Sequence, residues 1–344
     1  MMDKVRTQAG NEVDHPLSSP SRVGFVGAGN ILKMHMQGLR RHSDRLTAAA
    51  VCDVDVDRLR DAAAVWSIPA CYQQVEAMLE NETLDACVVI TPTHVRREVL
   101  LSIMGKGIPI LCEKPLAETY AEAQALAAAA RRNNVPVAVN QNFRRYFTFE
   151  LARRQLAAGD LGRPLHLTQT VMNRRRDRGW RLERERYIMS VMSIHWFDGY
   201  RYLLGEEPRG VYCRTPSGTS GSGFGETAVS LLLDFPGGTV VNLNESFSSF
   251  APFSRACLDC EQGSLIMDYE KLLMIDTEKK TVEIANPYDK PEATVSLLID
   301  LCGAAEEGRP PTTDIADNLK SMRILEAAYK SMNEKRYVLL EEIQ

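Results

Sequence analysis

Lys114 is the residue of this sequence best suited to act on a reacting oxygen. It follows an apolar run, Ile108–Cys112, within the tripeptide Glu113-Lys114-Pro115. At the carboxyl end of a parallel strand, an ammonium group can hydrogen-bond a substrate oxygen and stabilise developing alkoxide charge. It can also carry the hydroxyl proton if its pKa is lowered. We predict that Lys114 is catalytic and contacts the substrate. The alternative is a surface lysine at a strand end.

His195 is the second candidate for proton transfer. The stretch 187–204 is predicted to be helical, which places His195 and Asp198 three residues apart on one face. We expect Asp198 to orient the imidazole, which then accepts the proton of a substrate hydroxyl. The alternative is a partly buried helix histidine with no chemical role.

Two glycines follow the first apolar run, Val23–Val26, and precede a predicted helix, Ile31–Arg41. In this context Gly27 permits a tight turn, and Gly29 lets the backbone approach a pyrophosphate at the helix N-terminus. Leu32 replaces the third glycine of the usual fingerprint, so helix and strand should lie slightly farther apart. The alternative is a glycine-rich turn without a ligand. The predicted dinucleotide contacts are Gly27, Ala28, Gly29, Asn30 and Ile31.

Asp53 favours NAD as that dinucleotide. It ends the second apolar run, 24 residues after Gly29, close to the interval at which dinucleotide-binding folds place an acid. Its carboxylate would accept hydrogen bonds from the adenosine ribose and repel the 2′-phosphate of NADP, and Val54 offers no positive charge. The alternative is a turn residue at a strand end.

Alternating apolar runs and helical segments between residues 22 and 141 must position these residues. Continuously apolar strands separated by helices indicate an α/β, doubly wound parallel sheet of the Rossmann type. After residue 142, strand-like segments with a hairpin signal at Pro236-Gly237-Gly238 precede two helices, and Thr313 is a candidate cap for the last one. We therefore predict a flexible tail at 1–21, a Rossmann domain at 22–141, and at 142–344 an α/β domain with an antiparallel or mixed sheet.

Composition excludes several classes of protein. A net charge of −4 over 344 residues argues against a nucleic-acid binder. No apolar run approaches the length of a membrane span, and no signal peptide is visible, so we predict a cytoplasmic protein without membrane or nucleic-acid partners. Eight cysteines lie mostly in apolar runs and are expected to be free thiols. The lone Cys257-x-x-Cys260 is interpreted as part of a strand, and we predict no metal site.

The segment Gly105–Leu116, which contains Glu113-Lys114-Pro115, resembles the glucose–fructose oxidoreductase / inositol dehydrogenase / MocA (Gfo/Idh/MocA) family. The resemblance extends to Asn142–Arg145, His195-x-x-Asp198 and Glu326–Tyr329, and covers residue 22 to the end. It implies a C-terminal α/β domain with an open, mainly antiparallel sheet for substrate binding and oligomerisation. It further implies cofactor contacts from Thr91, Pro92, Glu113, Lys114 and Asn142, and substrate contacts from Lys114, Arg144, Trp180, His195 and Asp198.

One departure from the family pattern affects the chemistry. Many members carry an aspartate four residues before this histidine and a glycine two before it, where this chain has Val191 and Ser193. Three interpretations remain open. Lys114 with His195 is sufficient, or another acid such as Glu183 or Glu185 serves, or the chemistry differs or is lost.

Seven arginines crowd the segment 174–186, opposed only by Asp177, Glu183 and Glu185. A guanidinium cluster suits a carboxylate or phosphate on the substrate, and Trp180 suits the apolar face of a sugar ring. The alternative is a solvated basic loop paired with acids, or a subunit contact. The arginines are Arg174, Arg175, Arg176, Arg178, Arg181, Arg184 and Arg186.

The function that these predictions favour is an NAD-dependent dehydrogenase acting on a sugar, sugar acid or cyclitol. The resemblance implies a carbohydrate or polyol substrate and a homodimer or homotetramer. Two alternatives remain. One is a redox-neutral glycosidase that uses held NAD to oxidise its substrate transiently. The other is a non-catalytic protein that senses NAD or a sugar.

Overall fold

The structure is a computed structural model that describes residues 20–175, 177, 181, 183–216, 225–286 and 289–344. The tail predicted at 1–21 therefore lies outside the described residues except for its last two positions. Within the described residues, no helix is both long enough and apolar enough to span a bilayer.

The N-terminal half is built on a six-stranded, all-parallel sheet with strand order β3-β2-β1-β4-β5-β6. The order reverses between β1 and β4, and ligands of doubly wound folds bind at the carboxyl ends of the strands beside such a point. The predicted Rossmann fold is confirmed. The strands are β1 Ser21–Val26, β2 Leu46–Cys52, β3 Ala70–Tyr72, β4 Ala86–Val89, β5 Ile110–Cys112 and β6 Val137–Val139. The helices are α1 Leu32–Arg41, α2 Val56–Trp66, α3 Val75–Asn81, α4 Thr93–Met104 and α5 Tyr120–Asn133.

The second half is built on a nine-stranded sheet with strand order β14-β13-β12-β11-β7-β10-β9-β8-β15. Only β7 and β10 pair in parallel among these strands, so the predicted open, mainly antiparallel sheet is confirmed. The strands are β7 Pro164–Arg174, β8 Gly210–Arg214, β9 Ala228–Asp234, β10 Val240–Ser246, β11 Ser248–Cys260, β12 Gly263–Met267, β13 Lys271–Asp276, β14 Thr281–Ala285 and β15 Val338–Leu339. The helices are α6 Phe147–Ala158, α7 Ile194–Leu204, α8 Lys290–Glu307 and α9 Ile315–Glu334.

Helix α8 returns to the N-terminal half and packs against α1. The contact is close because Gly38 has no side chain, and a Cβ there would lie 2.6 Å from the carbonyl oxygen of Pro291. Val295 and Leu298 of α8 are buried in the same core as Phe25 of β1. The chain boundary between the two predicted domains remains a prediction, and α8, from the second half of the chain, contributes to the core of the first half.

Three local predictions are wrong. The helix predicted at 187–204 begins with a π-helical turn, Met189–Ser193, before α7. The single strand predicted at Leu258–Asp268 is broken by a turn at Glu261-Gln262, after which the chain reverses and β12 pairs antiparallel with β11. Helix α9 is capped by Asp314 rather than Thr313, since the Asp314 carboxylate accepts from the Ala316 amide at 2.8 Å.

The cysteines behave as predicted. All eight are free. Cys257 and Cys260 both lie in β11, and because side chains alternate along a strand, residues three apart point to opposite faces. The described residues contain no cluster of three or more His, Cys, Asp or Glu side chains that could hold a metal ion.

Candidate functional site

A cavity of about 1610 Å³ lies where the carboxyl ends of the parallel strands meet the π-helical turn and α7. His195 lines it, as do all eleven residues predicted to contact the cofactor. The roles of these residues remain predictions, but the fold brings them to one place. The eleven are Gly27, Ala28, Gly29, Asn30, Ile31, Asp53, Thr91, Pro92, Glu113, Lys114 and Asn142.

The glycine loop has the geometry that a dinucleotide needs. Gly27 has φ of +107°, where a side chain would be strained. A Cβ at Gly29 would meet nothing within 4 Å, so this stretch of backbone is open to a ligand. The Asp53 carboxylate accepts from the amides of Ala28, at 2.6 Å, and Asp55, at 2.9 Å. Hydrogen bonds thus link the glycine loop to Asp53, the acid that would hold the adenosine ribose.

Arg96 of α4 holds the two strand-end loops that carry the predicted reactive residues. Its buried guanidinium donates to the carbonyl oxygens of Thr91 and Glu113, both at 2.6 Å, and of Pro115. Because one rigid group satisfies three backbone acceptors, the segments after β4 and β5 are fixed relative to each other.

Glu113 is held by partners from two other elements. Its Oε1 accepts from His35 Nε2 of α1 at 3.0 Å and from Asn140 Nδ2 at 2.6 Å. Burial alone would raise the pKa of the Glu113 carboxyl, but the hydrogen bond and charge of His35, the charge of Lys114 and the hydrogen bond from Asn140 lower it to about 2. Glu113 therefore stays ionised, and its negative charge lies beside Lys114.

Lys114 donates a hydrogen bond to the backbone carbonyl of Val191. Burial lowers the pKa of Lys114 to about 7, against the opposing charge of Glu113. Three further cations act in the same direction as burial, namely Lys290, Arg175 and Arg181. Near neutral pH the amine is thus available to take up a proton.

The position of the family aspartate is occupied by a neutral partner of Lys114. Val191 lies in the π-helical turn, a form found mostly as single-turn bulges and frequently at functional sites. Glu183 and Glu185, the acids considered as substitutes, are exposed and are not among the described residues that line the cavity. Ser193 donates to Glu245 at 2.5 Å, so this buried acid is engaged next to the cavity wall.

His195 is oriented by Gln141 rather than by Asp198. Its Nδ1 donates to Gln141 Oε1 at 3.0 Å, and its ring stacks on Phe143 with 4.2 Å between centroids. Burial, followed by the charges of Lys114 and Lys290, lowers the pKa of His195 well below its ordinary value. The ring is therefore neutral, and Nε2 carries the lone pair that can accept a hydrogen bond.

Arg144 and Asp198, both predicted to contact substrate, bind each other. Arg144 Nε and Nη2 donate to the two carboxylate oxygens of Asp198 at 2.6 and 2.7 Å. Ser321 and Arg201 add bonds to Asp198 at 2.9 and 3.3 Å. Neither Arg144 nor Asp198 is among the described residues of the cavity wall. Their substrate contacts, which the resemblance implied, remain predictions, and the structure shows them as an ion pair that links the short helical turn Asn142–Arg145 with α7 and α9.

Trp180, predicted to pack on a sugar ring, lies outside the described residues, as do Arg176 and Arg178. Arg175, Arg181, Arg184 and Arg186 line the cavity. The arginine-rich segment therefore reaches the site, although not with all of its members.

Sequence reasoning missed His35, Arg96, Gln141 and Lys290. His35 and Arg96 are single polar residues on buried helix faces, where a charged group needs a partner, and this was the available signal. Gln141 directly follows the last strand of the parallel sheet, a position at which a polar residue points to a ligand site. No such signal in the sequence marked Lys290, because it reaches the cavity only through the packing of α8 against the N-terminal half.

Two protein-family models match the chain. The model of an oxidoreductase family with an NAD-binding Rossmann fold matches residues 21–141, and the GFO/IDH/MocA C-terminal domain matches residues 149–266. A D-apiose dehydrogenase of Paraburkholderia graminis is 26% identical over 339 residues, covering 93% of this chain and 90% of the relative. Inositol 2-dehydrogenase 4 of Saccharopolyspora erythraea is 34% identical over 219 residues, covering 61% of this chain and 62% of the relative.

The solved structures show the same fold. An oxidoreductase from Agrobacterium radiobacter, in complex with NAD+, L-tartaric acid and magnesium, superposes with a TM-score of 0.88 at 20% identity. The match covers 95% of this chain and 100% of that one.

Proposed function

Because the chain belongs to the Gfo/Idh/MocA oxidoreductase family and has its NAD-binding Rossmann domain, we propose that it transfers a hydride between NAD and a hydroxyl or carbonyl carbon of a sugar, sugar acid or cyclitol. The observation that carries the proposal is that Lys114 and His195 line the same cavity as the dinucleotide loop. The relatives, whose names are those of dehydrogenases and reductases of sugars and inositol, support the same class of reaction.

NAD, when bound, supplies the hydride acceptor for oxidation or the donor for reduction. The loop after β1 would hold its pyrophosphate and Asp53 its adenosine ribose, which agrees with the open backbone at Gly29. The remaining requirement of the reaction is a group that takes the hydroxyl proton, and the protein must supply that group.

We assign this role to Lys114 rather than to His195. The pKa of Lys114 is lowered to about 7, so its neutral amine is a base matched to neutral pH. It can keep one N–H on the carbonyl of Val191 while its lone pair accepts the proton. His195, whose pKa is lowered well below its ordinary value, accepts a hydrogen bond through Nε2 and orients the substrate. In reduction the same groups act in reverse, with protonated Lys114 donating to the carbonyl oxygen.

The redox-neutral glycosidase and the sensor gain no support from the comparisons, in which the named relatives are dehydrogenases and reductases. A cytoplasmic location and a homodimer or homotetramer remain our predictions.

The test is to follow NADH absorbance with purified protein, NAD and a panel of polyols, aldoses, sugar acids and cyclitols. We expect NADH formation with one structural class. Glycoside cleavage without NADH formation would instead identify the glycosidase. Tight binding of NAD and sugar without either reaction would identify the sensor.

A further inference from the structure

The arginine-rich segment divides into two groups that behave differently. Arg174 is exposed and stacks on Phe250 with 3.9 Å between guanidinium carbon and ring centroid. Arg186 lines the cavity but donates two hydrogen bonds to Glu326, at 2.7 and 2.9 Å. These two fit the interpretation as a solvated and paired basic segment. Arg175 and Arg181 also line the cavity, and both are among the charges that act on Lys114.

Arg175 is fixed in place while its terminal nitrogens remain available. Its Nε donates to Asp177 at 2.9 Å, and its guanidinium lies 5.0 Å from the ring centroid of Phe247. Tyr187 donates to the other oxygen of Asp177 at 2.8 Å, so both oxygens of that carboxylate are engaged. Among the residues that the structure describes, none accepts a hydrogen bond from the Nη atoms of Arg175. A guanidinium held in this way is prepared for a carboxylate or phosphate.

Arg175 lies among other cations that line the same cavity, Arg181 and Lys290. Burial, and then Arg175, lower the pKa of Arg181. Burial lowers the pKa of Lys290, and Arg175 adds to this against the attraction of Glu113. Like charges that lie close together disfavour each other's charged forms. The charges of Asp177 and Glu113 oppose this effect on Arg181, and both carboxylates also accept hydrogen bonds from other residues.

We infer that Arg175, Arg181 and Lys290 form an anion-binding subsite beside Lys114, which takes a carboxylate or phosphate group carried by the substrate. The subsite rests on the proposed function and narrows its substrate class to anionic polyols or sugars. It is separate from the pyrophosphate position at Gly27–Ile31, which lies at the N-terminus of α1. The reacting hydroxyl then meets Lys114 while the anionic group, farther along the carbon chain, meets the guanidiniums.

The experiment compares matched substrates. Each neutral aldose or polyol is assayed by NADH formation beside its uronate or aldonate and its phosphate monoester. We expect kcat/KM to be higher for an anionic member by about tenfold or more, the effect of one charge-assisted hydrogen bond. Preference for the acid or for the phosphate ester identifies which anion the subsite takes. Equal or better turnover of the neutral member would overturn the subsite and leave the proposed function standing.

Variants assign the effect to the subsite. Arg175→Gln and Arg181→Gln should each lower the ratio of kcat/KM for the anionic member to kcat/KM for the neutral member by about tenfold. The ratio is the readout because both arginines also act on the pKa of Lys114, which affects the two members alike. Arg174→Gln, an exposed arginine of the same segment, is the matched control and should change neither. If Arg175→Gln lowers the folding yield, Arg181→Gln alone decides. An equal loss on both members would overturn the subsite.

A binding measurement distinguishes a failure of the anion subsite from a failure of the proposed hydride-transfer reaction. The protein loaded with NADH is titrated with malonate and with inorganic phosphate, and its thermal unfolding is followed. If either ion stabilises the wild-type protein and Arg174→Gln, but not Arg181→Gln, the subsite is supported. This holds even if no compound yields NADH, because that result would overturn only the proposed reaction. No stabilisation in the wild-type protein, together with no preference for anionic substrates, would overturn the subsite.

Discussion

Lys114 makes its hydrogen bond to the backbone carbonyl of Val191, and not to a carboxylate. The partner is a dipole without net charge, so it holds the amine in position without stabilising its protonated form as an anion would. Position and proton affinity are thereby separated: the π-helical turn fixes where the nitrogen lies, and burial with neighbouring cations lowers its pKa to about 7.

The first prediction concerns pH. Lys114 must be neutral to take the hydroxyl proton, so kcat/KM for oxidation should rise with pH and level off above about 7. In Val191→Asp, a carboxylate beside the amine favours the charged form, and the rise should move upward by about one to three pH units. Val191→Asn, with a similar but uncharged side chain, is the control. An unchanged profile in Val191→Asp would contradict the assignment of this limb to Lys114.

The second prediction concerns Lys114 itself. Lys114→Met removes the proton acceptor, and kcat/KM should fall by about 10²–10⁴-fold, the contribution of a positioned acid–base group. NADH binding, measured by fluorescence titration, should be retained, because the dinucleotide loop is untouched. Lys106→Met, at an exposed position after α4, is the control and should keep full activity. Wild-type turnover in Lys114→Met would remove this residue from the mechanism.

The third prediction concerns the orientation of His195. Gln141→Leu leaves the Nδ1–H without its acceptor, and kcat should fall about tenfold, in line with the free energy of one buried hydrogen bond. Gln141→Glu places a carboxylate there instead and should raise the pKa of His195. The pKa is measured by NMR titration of the imidazole. If the titration does not move in Gln141→Glu, Gln141 is not the partner of the ring in solution.

The fourth prediction concerns the choice of cofactor. Asp53→Asn removes the charge that would bind the ribose and repel a 2′-phosphate, so the Kd for NAD should rise by about tenfold and the Kd for NADP should fall. Asp55→Asn is the matched control, since Asp55 caps α2 through the amides of Asp57 and Arg58. Calorimetric titration with both dinucleotides measures the two constants. An unaltered ratio would show that Asp53 does not select the cofactor.

The fifth prediction separates stability from substrate binding. Arg144→Met leaves Asp198 buried without its bidentate partner, and the free energy of unfolding should fall by about 3–5 kcal/mol. Arg163→Met, which breaks the exposed pair with Glu261, should cost less than about 1 kcal/mol. Denaturant unfolding measures both. KM should stay near the wild-type value in the folded Arg144→Met protein, and a large rise in KM would restore Arg144 to the substrate site.

Residues that follow strand ends could be predicted from the sequence. Gly27, Asp53 and Lys114 each come directly after or within a few residues of a buried strand, and parallel strands bring their carboxyl ends to one edge. The order of strands and helices along the chain was therefore sufficient to predict that these residues lie at one edge of the sheet. Helix α3 and strand β3 were missed because the strand has three residues and is only partly buried, which leaves little periodic pattern.

Contacts that depend on how the elements pack could not be predicted. The three-residue spacing of His195 and Asp198 correctly indicated a common helix, but not which partner each would meet. Gln141 lies 54 positions before His195, and Arg144 lies 54 before Asp198, so the short helical turn at Asn142–Arg145 decides both pairings. The π-helical turn also escaped prediction, because no residue type requires it.

The packing of α8 on α1 has a consequence for synthesis of the chain. Val295 follows Gly38 by 257 positions, yet its side chain would be only 2.8 Å from a Cβ added there. The N-terminal sheet therefore leaves the ribosome with part of its apolar surface uncovered, and that surface remains open until α8, Lys290–Glu307, has been translated. Nascent chains that stop before residue 290 expose this surface and are prone to aggregate. The half that binds the cofactor thus completes its core only after the large antiparallel sheet has been made.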